Sequence, residues 1–181
     1  MTEILRKKEG ERKVDSALSA FIRSRTEAED ARTPAHILAD CSGSMAGEKI
    51  QRLRTVLDRL RSRYQIKIIA FGHEVRYVVS LPDAGGGTPL AEALALAHQA
   101  RRVVVLSDGE PDDEYRALKE ALRLTAAGVS LSACYIGPPS GPGYNFLSRL
   151  TSQCGGKMAN IDLLCGEAAQ LQSKIAGLLS S

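Results

Sequence analysis

The chain has 181 residues, with 24 Lys and Arg against 21 Asp and Glu for a net charge of +3, and 44% of its residues are hydrophobic. That length suits a single domain burying roughly two-thirds of its unfolded surface, so neither disulfides nor a structural metal is needed to make a core. The small charge, the absence of Trp and an aromatic content of 4% argue against a nucleic-acid surface, which needs a broad positive field and stacking rings.

Residues 1–32 are highly charged and nearly balanced, with Val14, Leu18, Phe21 and Ile22 spaced as one helical stripe; they are expected to form a charged helical N-terminal extension. Arg6, Lys7 and Lys8 are followed by Glu9 and Glu11 rather than by the apolar stretch of a signal peptide, and no apolar run approaches the roughly 18 residues needed to span a bilayer. The expected setting is cytoplasmic, without a membrane.

From residue 33 the chain alternates short β-branched runs with amphipathic windows, which predicts a domain over 33–181. Strands are expected near 35–39, 66–71, 74–80, 102–106, 129–136 and 157–161. A first helix buries Ile50, Leu53, Val56, Leu57 and Leu60, and its other side is basic, with Lys49, Arg52, Arg54, Arg59, Arg61 and Arg63; such a face is ordinarily solvated surface. A second helix is expected from Pro89 to about Gln99. A third carries Tyr115, Leu118, Leu122 and Thr125 as its apolar stripe and stops at Gly128. Gly137 to Gly143 reads as a loop, followed by a short helix from Phe146 to Gln153. A last helix has Leu164, Ala168, Leu171, Ile175 and Leu178 in register.

Only Gly72-His73 separates the second and third runs, too little for a helical crossover, so those two strands form an antiparallel hairpin. The fold class is therefore α/β: a doubly wound, Rossmann-like, six-stranded and mostly parallel sheet with one antiparallel edge strand and helices on both faces. Cys41, Cys134, Cys154 and Cys165 contain no CxxC pair and no histidines at zinc-finger spacing, so they are expected to be reduced.

Three loops hold the chemistry. In Asp40-Cys41-Ser42-Gly43-Ser44, just past the first strand, alternate residues of an extended segment point one way, so Asp40, Ser42 and Ser44 can converge on a point while Cys41 faces the core. Each also suits a plainer role, since Asp and Ser commonly cap turns and helices. Asp83-Ala84-Gly85-Gly86-Gly87-Thr88-Pro89 puts a hydroxyl after three glycines, where Thr88 and Pro89 would equally make an N-cap and first helical residue. Ser107-Asp108-Gly109 follows the apolar strand Val103-Val104-Val105-Leu106. In the strand order 3-2-1-4-5-6, the first and fourth strands are neighbours and ligands bind between their carboxyl ends, so Asp40 and Asp108 are expected to meet. A set of oxygen donors favours magnesium, manganese or calcium over zinc.

Asp40-Cys41-Ser42-Gly43-Ser44-Met45, Gly85-Gly86-Gly87-Thr88-Pro89-Leu90 and Ser107-Asp108-Gly109, in that order, resemble the von Willebrand factor A (vWA) domain over residues 33 to about 178. The resemblance implies a metal-ion-dependent adhesion site (MIDAS) of Asp40, Ser42, Ser44, Thr88 and Asp108. Ser42, Ser44 and Thr88 would offer hydroxyl oxygens to Mg2+, with Mn2+ or Ca2+ as alternatives; Asp40 and Asp108 would act through bound waters and by holding the hydroxyls. An Asp or Glu of a protein partner would complete the coordination. Stand-alone domains of the GGGTPL form resemble those working beside AAA+ ATPases or in stress-response complexes. In this chain Cys41 departs from the commoner small or β-branched residue, and Glu110-Pro111-Asp112-Asp113-Glu114 makes the rim acidic, a cluster expected to serve the next helix's N-terminus.

Two other readings compete. A metal-independent structural domain would assemble through residues 1–32 or the basic helix. A magnesium-dependent phosphohydrolase using Asp40 as nucleophile would want a second acid two residues on, where Ser42 stands, and there is no GxxxxGK[ST] loop. His36 lies at the wrong end of its strand, His98 late in a helix, and His73 in a hairpin turn expected to lie away from the crevice, so no general base is evident and the chain is not expected to be an enzyme.

Overall fold

The computed structural model describes residues 34–162 and 168–179; the expected N-terminal extension, Leu164 and Cys165 lie outside them. The element order is β1 (Ala35–Asp40), a 3-10 turn (Gly43–Met45), α1 (Glu48–Arg61), β2 (Ile66–Phe71), β3 (Arg76–Val78), α2 (Leu90–Leu96), β4 (Arg102–Ser107), α3 (Glu114–Ala126), β5 (Ser130–Ile136), α4 (Pro142–Gln153), β6 (Met158–Ile161) and α5 (Ala168–Leu179). The six strands form one sheet in the order β3-β2-β1-β4-β5-β6. All neighbours are parallel except β2 and β3.

Side-chain alternation along the strands divides the core into two layers. Ile37, Ala39, Ile68, Val104 and Leu106 face α1 and α5, meeting Leu53, Leu57, Leu171 and Ile175. Leu38, Ile69, Phe71, Val103 and Val105 face α2, α3 and α4, meeting Leu90, Leu94, Ala121 and Phe146. The helix after β1 therefore leaves on one face and the helix after β4 on the other, which opens a crevice between the carboxyl ends of those two strands.

Four expectations about elements are corrected. The antiparallel strand is only Arg76–Val78, because pairing with β2 begins at Ala70 opposite Arg76 and leaves Gly72 to Val75 as a wider turn. The buried face of α3 is Ala117, Ala121 and Leu124, whereas Tyr115 is 79% and Leu122 42% exposed. Alanines sit there because α3 packs against α2, itself lined by Ala91, Ala93 and Ala97, and close approach of two helices selects small side chains. Finally, α4 begins at Pro142, inside the expected loop, with its proline in the first turn, and α2 stops at Leu96.

The basic side of α1 is more than solvated surface. Arg54 donates to the carbonyls of Leu81 (3.0 Å) and Pro82 (2.7 Å) and pairs with Asp83 at 2.8 Å, which anchors the segment leading into the glycine loop. Arg52 pairs with Glu48 along the helix. Among the described residues, no helix is long and apolar enough to cross a membrane.

Candidate metal centre

Backbone contacts lock three loops together at the carboxyl end of the sheet. Gly85 N–H donates to Cys41 O at 2.7 Å and Gly43 N–H to Gly86 O at 3.2 Å, while Cys41 N–H donates to Phe71 O at 2.7 Å. The approach is close enough to require glycine: a Cβ on Gly72 would stand 2.6 Å from Cys41 O and 2.8 Å from Gly85 O. Gly86 adopts φ +81°, the left-handed region open to glycine.

His73 belongs to this junction, contrary to the expectation that its turn lies away from the crevice. A Cβ on Gly85 would fall 2.4 Å from His73 Nε2, and one on Gly86 2.6 Å from the His73 backbone nitrogen. The widened turn after β2 folds over the glycine loop, and a small cavity of about 200 Å³ beside it is lined by Cys41, Gly72, His73, Glu74, Arg76 and Asp83 among others.

Asp40 ends β1 with its side chain buried. One carboxylate oxygen accepts from Ser42 N–H at 2.7 Å, and the other from the Ser107 hydroxyl at 2.5 Å. Burial pushes its pKa up to about 6, the nearby charge of Asp108 adding to this and the Ser107 and Ser42 hydrogen bonds opposing it. Asp40 is thus part turn-former, as the plainer reading had it, and part buried charge that favours a compensating cation. Cys41 faces the core, where burial, reinforced by Asp40, pushes its thiol up to about 12; it offers no thiolate to a soft metal.

The hydroxyls are free of capping duty. Ser42 precedes the 3-10 turn and makes no side-chain cap hydrogen bond; Pro89, rather than Thr88, stands in the N-cap position of α2. Ser42 Oγ lies 3.0 Å from Ser44 Oγ, and Ser44 Oγ donates to Asp108 Oδ1 at 2.7 Å. A Cβ on Gly109 would stand 3.8 Å from Ser44 Oγ and 3.9 Å from Thr88 Oγ1, so the third hydroxyl approaches the same point. All five residues expected at the site therefore come to the crevice between β1 and β4.

Three further residues shape it. Ser107 ties Asp40 to the next loop, since its Oγ also accepts from Gly109 N–H at 3.2 Å. Lys49, in the first turn of α1, donates to Asp108 Oδ2 and, at 3.3 Å, to Ser44 O. Asp112 accepts from Thr88 N–H at 2.9 Å through its side chain, and its own N–H donates to Thr88 O at 3.1 Å. The acidic rim was expected to serve α3, and Asp113 does, accepting from Arg116 N–H at 2.9 Å as the N-cap. Asp112 instead holds the threonine loop. Spacing alone gives no sign of it, because its partner lies 24 positions away.

Among the described residues, no three His, Cys, Asp or Glu side chains gather at metal-binding spacing. The oxygens available are two carboxylates and three hydroxyls, a set that suits a hard cation such as Mg2+ or Mn2+.

No family model and no curated protein sequence matches the chain. Its fold is similar to that of manganese-loaded TRAP protein from Plasmodium vivax, at 18% identity and a TM-score of 0.63 over 83% of this chain and 74% of that one. Mussel byssus proximal thread matrix protein 1 with a zinc-occupied MIDAS motif is similar at 15% identity and a TM-score of 0.60, over 81% of this chain and 45% of that one. The VWA domain of SpRpn10 is similar at 13% identity and a TM-score of 0.57, over 78% of this chain and 95% of that domain. At these identities the likeness is one of fold, and the fold is that of a VWA domain.

Proposed function

We propose that this chain is a metal-dependent protein-interaction module, in which Ser42, Ser44 and Thr88 offer hydroxyl oxygens to Mg2+ and Asp40 and Asp108 hold the hydroxyls and metal-bound waters. The observation that carries the reading is the convergence of Ser42, Ser44, Thr88 and Asp108 in one crevice, with the hydroxyls unused for capping. Manganese in TRAP and zinc at the MIDAS of the mussel protein support a divalent cation on this fold. Neutral oxygens bound directly to a dication leave it poorly neutralised, and magnesium keeps water at an open position that a carboxylate can take. The partner is accordingly a protein presenting an Asp or Glu. A cytoplasmic adaptor beside an AAA+ ATPase or in a stress-response complex is the setting the sequence motifs suggest.

The same arrangement argues for binding rather than catalysis. The Ser42 and Ser44 hydroxyls engage each other and Asp108, while Ser107 engages Asp40; none of these hydrogen bonds pairs a nucleophile with a histidine base. One observation favours the metal-independent alternative, namely that Lys49 already supplies a positive charge to Asp108.

Crystals grown with Mn2+ decide between the two. The reading expects an anomalous peak among Ser42 Oγ, Ser44 Oγ and Thr88 Oγ1 that disappears in Thr88→Ala. Density without such a peak at millimolar Mn2+ would leave the structural reading standing.

A further inference from the structure

Lys49 is misplaced by the ordinary rules of helices. It occupies the second position of α1, where the helix dipole is positive and a cation is unfavourable. A residue that breaks a local preference usually answers to a tertiary partner, and here the partner is Asp108. The Asp108 side chain is 3% exposed and that of Lys49 27%, so the pair is largely withdrawn from water, and losing the ammonium would strand a buried carboxylate.

The two oxygens of Asp108 are divided. Oδ1 accepts the Ser44 hydroxyl and Oδ2 the Lys49 ammonium, while the same ammonium reaches Ser44 O at 3.3 Å. The ammonium therefore sits one hydrogen bond from a proposed ligand residue on one side and, on the other, from the carboxylate proposed to hold that ligand's hydroxyl. A dication seated against Ser44 Oγ would be its near neighbour, and like charges at that range in a partly desolvated crevice repel strongly.

Building on the metal-site reading above, we infer that Lys49 is a tethered counter-cation of this site: its ammonium holds Asp108 and Ser44 in place without metal, and a divalent ion must displace it to bind. The ion pair keeps the hydroxyl array ordered and lowers metal affinity, so binding is an exchange of one cation for another. A partner carboxylate that stabilises the bound metal would shift the exchange further toward the metal form.

The test is calorimetric titration of the full chain with MnCl2, comparing wild type with Lys49→Met, Lys49→Gln and Lys49→Arg. Both neutral variants are expected to bind Mn2+ about tenfold or more tightly than wild type, and to melt lower than wild type in EDTA but gain more on adding Mn2+. Lys49→Arg keeps the charge and is expected to bind no tighter than wild type. A second measurement needs no variant: acetylation of Lys49 by acetic anhydride, read by mass spectrometry, should rise when Mn2+ is added, because the displaced amine leaves its ion pair. Equal or weaker Mn2+ binding by folded neutral variants, or acetylation indifferent to Mn2+ in a wild type that binds it, overturns the exchange and leaves the metal site standing. Heat of binding absent from wild type and every variant overturns both.

Discussion

Asp112 grips both backbone polar groups of Thr88, its carboxylate accepting the Thr88 N–H at 2.9 Å and its own N–H donating to the Thr88 carbonyl at 3.1 Å. Thr88 would otherwise rest on a run of three glycines, whose conformational freedom would leave its hydroxyl poorly aimed. Asp112→Ala is expected to lower stability by about 1 kcal/mol and to weaken Mn2+ binding although Asp112 is not a proposed ligand. Asp112→Asn keeps an acceptor oxygen and should restore most of both. Chemical denaturation and Mn2+ titration of the two variants check this; equal behaviour of Ala and Asn would remove the acceptor from the explanation.

Ser44 links the β1 loop to Asp108 and has little else to hold, being exposed. Ser44→Ala should therefore change the melting temperature in EDTA by no more than a few degrees, as expected for a surface hydrogen bond in a domain of this size. Its increment on adding Mg2+ or Mn2+ should vanish, since a ligand stabilises only the state that binds it. Thermal melts with metal and with EDTA provide the measurement, and a full metal-induced increment in the variant would count against Ser44 as a ligand.

The legibility of this chain follows the range of the interactions. Strand order and the crevice could be read because Val103 to Leu106 and His36 to Ala39 are continuous β-forming runs buried on both faces, and because Gly72-His73 leaves room only for a hairpin. The buried side of α3 is hard to read from sequence because large apolar residues, Tyr115 and Leu122, carry the visible periodicity while the buried face is Ala117, Ala121 and Leu124. His73 is hard to place from sequence for a similar reason: its turn reads as local, and its contact with Gly85 exists only once two loops from different parts of the chain are folded together. Lys49 and Asp112 look like ordinary surface charges until their partners, 59 and 24 positions away, are in view.

The glycine loop offers a comparison in which strain and packing separate. Gly47 and Gly86 share a positive φ, of +80° and +81°, but a Cβ on Gly47 meets nothing within 4 Å whereas one on Gly86 stands 2.6 Å from the backbone nitrogen of His73. Gly47 combines its positive φ with a ψ of −129°, a region that side chains with a Cβ rarely enter, so Gly47→Ala should cost about 1–3 kcal/mol from conformation alone. Gly86→Ala carries a positive-φ strain of its own plus a backbone collision, so its cost should be larger and should come with weakened metal binding. Urea denaturation of the two variants measures the difference, and near-equal losses would mean that His73 yields easily.

Acid stability should reveal two buried groups working against each other. His36 is 1% exposed in β1, meets Tyr77 edge-on with ring centroids 5.6 Å apart, and its Nδ1 has no hydrogen-bond partner among the described residues. Burial, with the charges of Lys67 and His98, lowers its pKa to about 4 from 6.5. Between those values the unfolded chain binds the proton more readily, so this residue's contribution is complete above pH 6.5 and is lost as the pH falls toward 4. Asp40 runs the other way. Its pKa rises from 3.8 to about 6, so between those values the folded state takes the proton more readily and stability is gained as the pH falls from 6 toward 3.8. In EDTA the two effects oppose over roughly pH 4–6, and wild type should show a muted acid dependence from this pair. Asp40→Asn leaves the histidine effect uncompensated and should lose stability more steeply than wild type from pH 6.5 to 4.5, by an added amount on the order of 2 kcal/mol. His36→Phe should be flatter than wild type over the same interval. Urea denaturation at half-unit steps of pH measures all three slopes, and parallel curves would mean that neither group titrates differently on folding.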